Sequence, residues 1–269
     1  MITTPLSRIA VLLAAASLLA GCESLPQTPP PGVSPTAAAP TLKVGDSWTY
    51  AVHDGYTKFG RGTLRHTVTA ADASKVVLAI EQSDGLNVGC RSVARDGSLD
   101  KLPGNPQVLC GEAAKRWELT PGGNWLRHPL TNGSTYTFTP PYQAYAFPLA
   151  AGRSWDGRVT SHDLATGRDF AVTYSVRVVG WERVTVPAGT FDALVVERAV
   201  FDGFWDYTRK QSEIREREWY APAIGRVVRK EGRSQYLDLL RCRGRYCPSI
   251  ELDDWLVYEL LPAGAAAKP

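Results

Sequence analysis

A chain of 269 residues, 44% of them hydrophobic, has the means to bury a substantial core. With 30 Lys and Arg against 27 Asp and Glu its formal net charge is +3, too even a balance to argue by itself for or against a polyanionic partner. Length thus excludes a chain unable to fold, and charge excludes reading function from electrostatics alone.

The first segment is an export signal. Arg8 and the amino terminus supply a short positive region, and Ile9 to Leu19 is apolar or small apart from Ser17, a run too short to span a bilayer as a helix. Leu19, Ala20, Gly21 and Cys22 resemble the lipobox of bacterial lipoproteins at all four positions. The resemblance implies cleavage after Gly21, so that 1–21 is the signal peptide. It also implies a diacylglyceryl group on the Cys22 thiol and an amide-linked acyl chain of the palmitate class on its new amine. Two such attachments anchor stably where one acyl chain would not. Cleavage removes one charged residue, Arg8, and leaves a net charge of about +2 by the same counting. Glu23, rather than the Asp that retains enteric lipoproteins in the inner membrane, points to the outer membrane, facing the periplasm. That compartment argues against nucleic acid as a partner.

Residues 22–41 read as the lipidated cysteine plus a Pro-rich linker. Pro26, Pro29, Pro30, Pro31, Pro35 and Pro40 stand among small residues, a composition that favours an extended spacer of roughly 3.1 Å per residue. Residues 42–262 read as the folded domain, and 263–269 as a disordered tail.

An internal echo organises the domain. Leu42-Lys-Val-Gly45-Asp-Ser47-Trp48 returns as Leu149-Ala-Ala-Gly152-Arg-Ser154-Trp155, each copy after a proline (Pro40, Pro148) and each with a Val four places beyond the Trp (Val52, Val159). We read each as a turn leading a strand whose Trp plugs the core, giving two sheet segments of related shape.

Further along, Lys75–Ile80, Phe170–Val179, Val184–Val186, Phe191–Val200 and Arg226–Lys230 are rich in β-branched and aromatic residues and predict strands. The turn segments Val186-Pro187-Ala188-Gly189 and Ala221-Pro222-Ala223-Ile224-Gly225 join antiparallel neighbours. A short helix is expected around Gly111 to Glu118. With Cys22 lipidated, Cys90, Cys110, Cys242 and Cys247 remain, an even number in an oxidising space. Four cysteines allow three pairings. The loop Arg243-Gly244-Arg245-Tyr246 favours Cys242 with Cys247, leaving Cys90 with Cys110; zinc is the competing reading, though no His lies near either pair in sequence.

Catalytic motifs are nearly absent. There is no G-x-S-x-G, H-E-x-x-H, Walker loop or G-x-G-x-x-G. Ser98-Leu-Asp-Lys101 fits S-x-x-K without the other elements of that chemistry, and reads as a chance match beside the turn Asp96-Gly97. His53, His66, His128 and His162 are scattered, and Asp253-Asp254 reads as a solvated strand-edge pair; no metal or cofactor is expected. Two surfaces are binding candidates. Arg241, Arg243 and Arg245 crowd the Cys242–Cys247 loop, where they could meet phosphates or simply be solvated. Trp205, Tyr207, Trp219 and Tyr220, with Tyr142, Tyr145 and Phe147, form a candidate apolar ligand groove or part of a core.

The two Leu-x-x-Gly-x-x-Trp segments, Thr185-Val-Pro-Ala-Gly-Thr-Phe191 and Trp219-Tyr-Ala-Pro-Ala-Ile-Gly225 together resemble the VPAGTF and WYAP-type domains of bacterial envelope proteins, a group that includes TapB-like proteins. The likeness spans roughly 41–262, with Ala223 at the second glycine position of the WYAP-type motif. It implies a mainly β fold: an antiparallel sheet curled into a half-barrel with little helix, similar to lipoprotein-carrier folds, whose concave face holds acyl chains or another protein. The function expected on this reading is that of a non-catalytic, membrane-anchored envelope lipoprotein binding an apolar ligand or a protein partner. A structural accessory of a secretion or surface machine is the alternative, and an unrecognised hydrolase around Ser98 stands behind both.

Overall fold

Phe170, Val172, Tyr174, Val176 and Val178 are buried while the residues between them are exposed, the period-two pattern of a strand with one face on a core. That pattern, repeated along the chain, builds the fold. The computed structural model describes residues 25–83, 86–93, 107–109, 112–131, 133–205, 209–238 and 249–264.

In chain order the strands are β1 (Thr36–Ala37), β2 (Ser47–Asp54), β3 (Gly60–Ala71), β4 (Val76–Gln82), β5 (Arg91–Val93), β6 (Gln107–Leu109), β7 (Arg116–Leu119) and β8 (Trp125–Pro129). They continue with β9 (Thr135–Tyr142), β10 (Leu149–Ala150), β11 (Ser154–Asp163), β12 (Asp169–Val186), β13 (Gly189–Trp205), β14 (Arg209–Ala221), β15 (Arg226–Asp238) and β16 (Ser249–Leu260). The helix expected over 111–118 is reduced to one 3-10 turn, Glu112–Lys115, because Arg116–Leu119 is drawn into the sheet with Trp117 opposite Leu78.

The expected half-barrel is corrected: the sheet closes. Two runs of six strands, β2-β3-β4-β7-β8-β9 and β11 to β16, join at both seams into one antiparallel 12-strand barrel. Thr160 lies opposite Thr139 at the β9–β11 seam, and Tyr258 opposite Val52 at the β16–β2 seam. A half-barrel would leave two edges of unpaired N–H and C=O groups; closure pairs them. The strands predicted at Phe170–Val179 and Val184–Val186 are one strand, β12, kept continuous through a bulge between Val178 and Gly180. Pro187-Ala188 is the two-residue link of the β12–β13 hairpin, with Val186 opposite Gly189.

The echo has a structural counterpart. Gly45 and Gly152 both have positive φ, 93° and 81°. The Gly45 N–H donates to the Val68 carbonyl at 2.9 Å and the Gly152 N–H to the Val178 carbonyl at 2.8 Å; the return bonds run from Val68 N–H to Asp46 and from Val178 N–H to Arg153. Each copy therefore starts one run of six strands in the same way. The tryptophans differ from expectation. Trp48 and Trp155 are half-buried at the core margin, and the Trp155 indole N–H is engaged by the Gln143 carbonyl at 2.9 Å. Trp117, Trp125, Trp181 and Trp219 fill the core instead.

The apolar interior forms three clusters. One includes Trp125, Tyr142, Val178, Trp181, Leu194 and Tyr220; one lines the first run with Val52, Leu64, Leu78 and Trp117. The third lies under the β12–β13 hairpin, which reaches back to β16 through Ala188 N–H and the Leu260 carbonyl at 2.9 Å. There Val186, Ala188 and Phe191 of one family-like motif meet Trp219 and Ala221 of the other, with Trp48 and Tyr50 beside them. Both motifs thus serve the packing of one barrel end.

The proline-rich stretch is not a free spacer over its described part, Leu25 to Pro40. The Pro26 carbonyl accepts from Trp181 N–H at 2.9 Å, the Gln27 amide donates to the Val179 carbonyl at 2.8 Å, and buried Ala37 pairs with Leu149.

Candidate functional site

Strands β13, β14 and β15 are neighbours whose register sets Arg198 opposite Glu216, and Glu218 opposite Val196 on one side and Lys230 on the other. Period two then turns Arg198, Glu216, Glu218 and Lys230 to the barrel interior. Arg198 has a side chain 0% exposed, with Nη1 2.8 Å from Glu218 Oε2 and 3.6 Å from Glu216 Oε2. Lys230 Nζ lies 2.9 Å from Glu216 Oε1 and 3.7 Å from Glu218 Oε1. Two cations and two carboxylates form a closed ring of charge.

Neutral groups from across the barrel complete it. The Tyr145 hydroxyl donates to Glu218 Oε2 at 2.6 Å, the Thr131 hydroxyl donates to Glu216 Oε1, and Arg198 Nη2 donates to the Ala144 carbonyl at 3.1 Å. The guanidinium also lies over the rings of Tyr145 and Trp125, at 4.9 and 5.6 Å. Trp125 stacks on His128 at 4.0 Å and Tyr142 at 4.5 Å, and Trp117 bridges His128 to His66. His128 Nδ1 is 2.6 Å from the Pro129 carbonyl, which can only accept, so Nδ1 carries the proton.

Six titrating groups in and around the ring are pushed away from neutrality. Burial alone would raise Glu218 and Glu216, but the charges of Arg198 and Lys230 outweigh it and hold both below the usual carboxylate range. Burial, then Lys230, lowers His128 well below its ordinary value, and burial, then Lys230 and Arg226, pushes His66 down to about 3. Burial raises the Tyr145 and Tyr142 phenols. None of these shifts brings Glu216, Glu218, His66, His128, Tyr142 or Tyr145 towards neutral pH, where proton transfer is easiest. Several buried polar atoms lack a hydrogen-bond partner, among them Arg198 Nε, Glu216 Oε2, Tyr142 OH and His66 Nε2. Arg198 Nη1 is also among them despite its 2.8 Å approach to Glu218, so that contact is an ion pair without an aligned hydrogen bond.

The candidate groove residues are not brought together. Trp219 and Tyr220 are consecutive on β14 and face opposite ways, Trp219 into the cluster under the hairpin and Tyr220 into the main core. Trp205 lies at the far end of β13, 58% exposed, with the Arg168 guanidinium 5.7 Å from its ring; Tyr207 is outside the described residues. Tyr145 and Phe147 contact each other and Tyr220 at the core margin. Cys22, Cys110, Cys242, Cys247, Arg241, Arg243, Arg245, Ser98 and Lys101 also fall outside the described residues, while Cys90 lies half-buried just before β5. His53 and His162 sit on the outside, 3.7 Å from Glu259 and 2.7 Å from Asp169, and Asp254 pairs with Arg61 at 3.1 Å. Among the described residues no group of His, Cys, Asp and Glu is arranged to hold a metal ion, and no helix is long and apolar enough to cross a membrane.

Sequence reading missed the ionic cluster. Ile214-Arg-Glu-Arg-Glu218 alternates acid and base, so both faces of the strand look solvated; the alternation itself, Glu216 and Glu218 on one face with Arg215 and Arg217 on the other, was the available signal.

No protein-family model matches the chain, and no curated protein matches it. Among solved structures it is similar to a candidate lipoprotein of Parabacteroides distasonis, at 14% identity and a TM-score of 0.41 over 86% of this chain and 99% of that one. A candidate exported protein with a YmcC-like fold from Bacteroides fragilis matches at 15% identity and a TM-score of 0.41, over 84% of this chain and 99% of that one. The hypothetical lipoprotein YmcC of Escherichia coli matches at 11% identity and a TM-score of 0.36, over 82% and 85%.

Proposed function

We propose that the chain is a cell-envelope lipoprotein, anchored through Cys22 in the outer membrane and facing the periplasm, whose barrel is a non-catalytic binding module for an envelope protein. The observation that carries the binding reading is an apolar rim at one barrel end. Phe59 (74% exposed), Leu252 (69%), Ile250 (62%), Trp205 (58%) and Tyr56 stand out at the β2–β3 turn, the start of β16 and the end of β13. Register brings these segments to one end, with Asp54 opposite Leu256, Leu252 opposite Gln235, and Trp205 opposite Lys210. These five outnumber the exposed Val44 and Ile224 towards the other end, and an end rich in exposed apolar side chains is the place a partner would cover. A protein partner is favoured over an acyl chain because the interior holds rings and four buried charges, which a hydrocarbon chain would leave without water. A partner within a secretion or surface machine would make the chain a structural accessory of it.

A photo-crosslinking residue in place of Phe59 or Leu252, in cells, tests the reading against the same residue in place of Thr185 at the other end. Discrete protein adducts from the rim positions alone are expected. Adducts from neither, together with stoichiometric co-purifying lipid by native mass spectrometry, would return the function to acyl-chain binding. Fractionation of Cys22→Ala tests the anchor: the variant should leave the membrane or accumulate as precursor, and an acylated, membrane-bound variant would refute it.

A further inference from the structure

The docked proline-rich segment bears on how an anchored barrel is oriented. We infer that it fixes one side of the barrel, the outer face of β12 to β14 around Gly180, against the headgroup layer of the anchoring bilayer; this rests on reading Cys22 as lipidated.

The segment is held at several points along its length. Leu25 packs against the cluster under the β12–β13 hairpin, Pro26 and Gln27 bond to Trp181 and Val179, Ala37 pairs with Leu149, and the Tyr220 hydroxyl donates to the Ala38 carbonyl at 3.1 Å. At Gly180 the fit leaves no room, since a Cβ there would come within 2.7 Å of both Leu25 Cβ and the Pro26 carbonyl oxygen. Only Glu23 and Ser24 separate Leu25 from Cys22. Fully extended, three Cα steps reach about 10 Å. A free linker through residue 41 would instead allow roughly 60 Å at polyproline spacing and leave every face of the barrel equally able to meet the lipid.

The surface beside Leu25 suits a zwitterionic headgroup layer. Arg177 and Glu197, 3.4 Å apart, and Arg217 and Glu182, 3.3 Å apart, alternate in sign across the outer face of β12, β13 and β14. Such a surface offers partners to phosphate and to ammonium alike. The apolar rim lies towards the other end, because Gly180 and Asp169, which starts β12, are separated by ~35 Å of strand at the usual rise. On the β2–β3 turn, Tyr56 and Phe59 also lie across the closed sheet from β12, since β3 is six strands away in either direction, and so they stand off the anchoring bilayer.

The test uses the full acylated chain in vesicles of phosphatidylethanolamine and phosphatidylglycerol carrying a rhodamine headgroup lipid. A donor fluorophore is attached through an azide-bearing residue introduced at Arg177 or at Phe59, and energy transfer to the lipid dye is compared. Transfer severalfold stronger from position 177 is expected. Inserting about twenty Gly and Ser residues between Ser24 and Leu25 should abolish the difference without changing the thermal melt. Equal transfer from the two positions in protein whose Cys22 is acylated by mass spectrometry overturns the inference alone. A difference that survives the insertion overturns the tether as its cause. Absence of acylation on Cys22 removes the lipoprotein reading and this inference with it.

Discussion

Arg198 Nη1 lies 2.8 Å from Glu218 Oε2 inside the barrel, one strand apart, with the Tyr145 hydroxyl on the same carboxylate oxygen. Neither charge reaches water, so each depends on the other and on their neighbours Glu216 and Lys230. Removing one member of such a cluster strands a buried charge and costs ~3–5 kcal/mol, whereas replacing a pair with apolar groups can be neutral. We predict that Arg198→Met lowers the chemical-denaturation midpoint sharply, and that adding Glu218→Leu restores part of the loss. Additive losses in the double variant would show that the two residues are not coupled.

Stability should fall with acid earlier than carboxylate protonation explains. His66 is held neutral in the fold with its pKa pushed down to about 3, against 6.5 for the free group. Below 6.5 the unfolded chain binds a proton that the folded chain refuses, so stability is full above that pH and drains away as pH falls towards 3. The loss from His66 alone is about 2 kcal/mol at pH 5. His128, also depressed, adds in the same direction. The lowered carboxyls of Glu216 and Glu218 contribute only nearer their ordinary value of 4.5 and below. Thermal melts from pH 7.5 to 5 should therefore decline, and His66→Phe, which keeps a ring among Trp48, Tyr50 and Trp117, should flatten the decline. An unchanged slope in that variant would rule out His66 as the source.

The tryptophans should separate by burial rather than by their place in the echo. Trp125 is buried and stacks on His128 and Tyr142, so Trp125→Ala should cost ~3–5 kcal/mol. Trp155 is half-buried at the core margin, and Trp155→Ala should cost at most about half as much by the area it removes. Equal unfolding midpoints for the two variants would contradict this ordering.

Cys90 and Cys110 are predicted to form one disulfide, and Cys242 and Cys247 the other. Strands β5 and β6 pair with Arg91 opposite Leu109, and the first two cysteines immediately precede and follow those strands in sequence. Non-reduced peptide mapping of protein exported from the cytoplasm decides it; a crossed pairing, or zinc retained with four free thiols, would overturn the assignment. Replacing Cys90 and Cys110 by Ser should cost ~3 kcal/mol from the closed loop alone.

How the chain turns is written locally. Val186-Pro187-Ala188-Gly189 and Ala221 to Gly225 specify hairpin links, and Gly45 and Gly152 specify two equivalent lead-ins, because a turn depends on the conformational range of a few consecutive residues. The alternation from Phe170 to Val178 likewise announces a strand with one buried face. Closure is a different kind of fact. Whether β16 finds β2, with Tyr258 opposite Val52, depends on curvature summed over every strand between them, and no local pattern records that sum. The same holds for Glu216 and Glu218, whose alternation with arginine suits a solvated strand equally well until the register of β13 and β15 supplies Arg198 and Lys230 on the inner face. It holds also for the prolines before Thr41. Their composition speaks for extension, yet the segment turns between Pro30 and Val33, and only its contacts with Trp181, Val179, Leu149 and Tyr220 decide that Leu25 to Pro40 is docked rather than free.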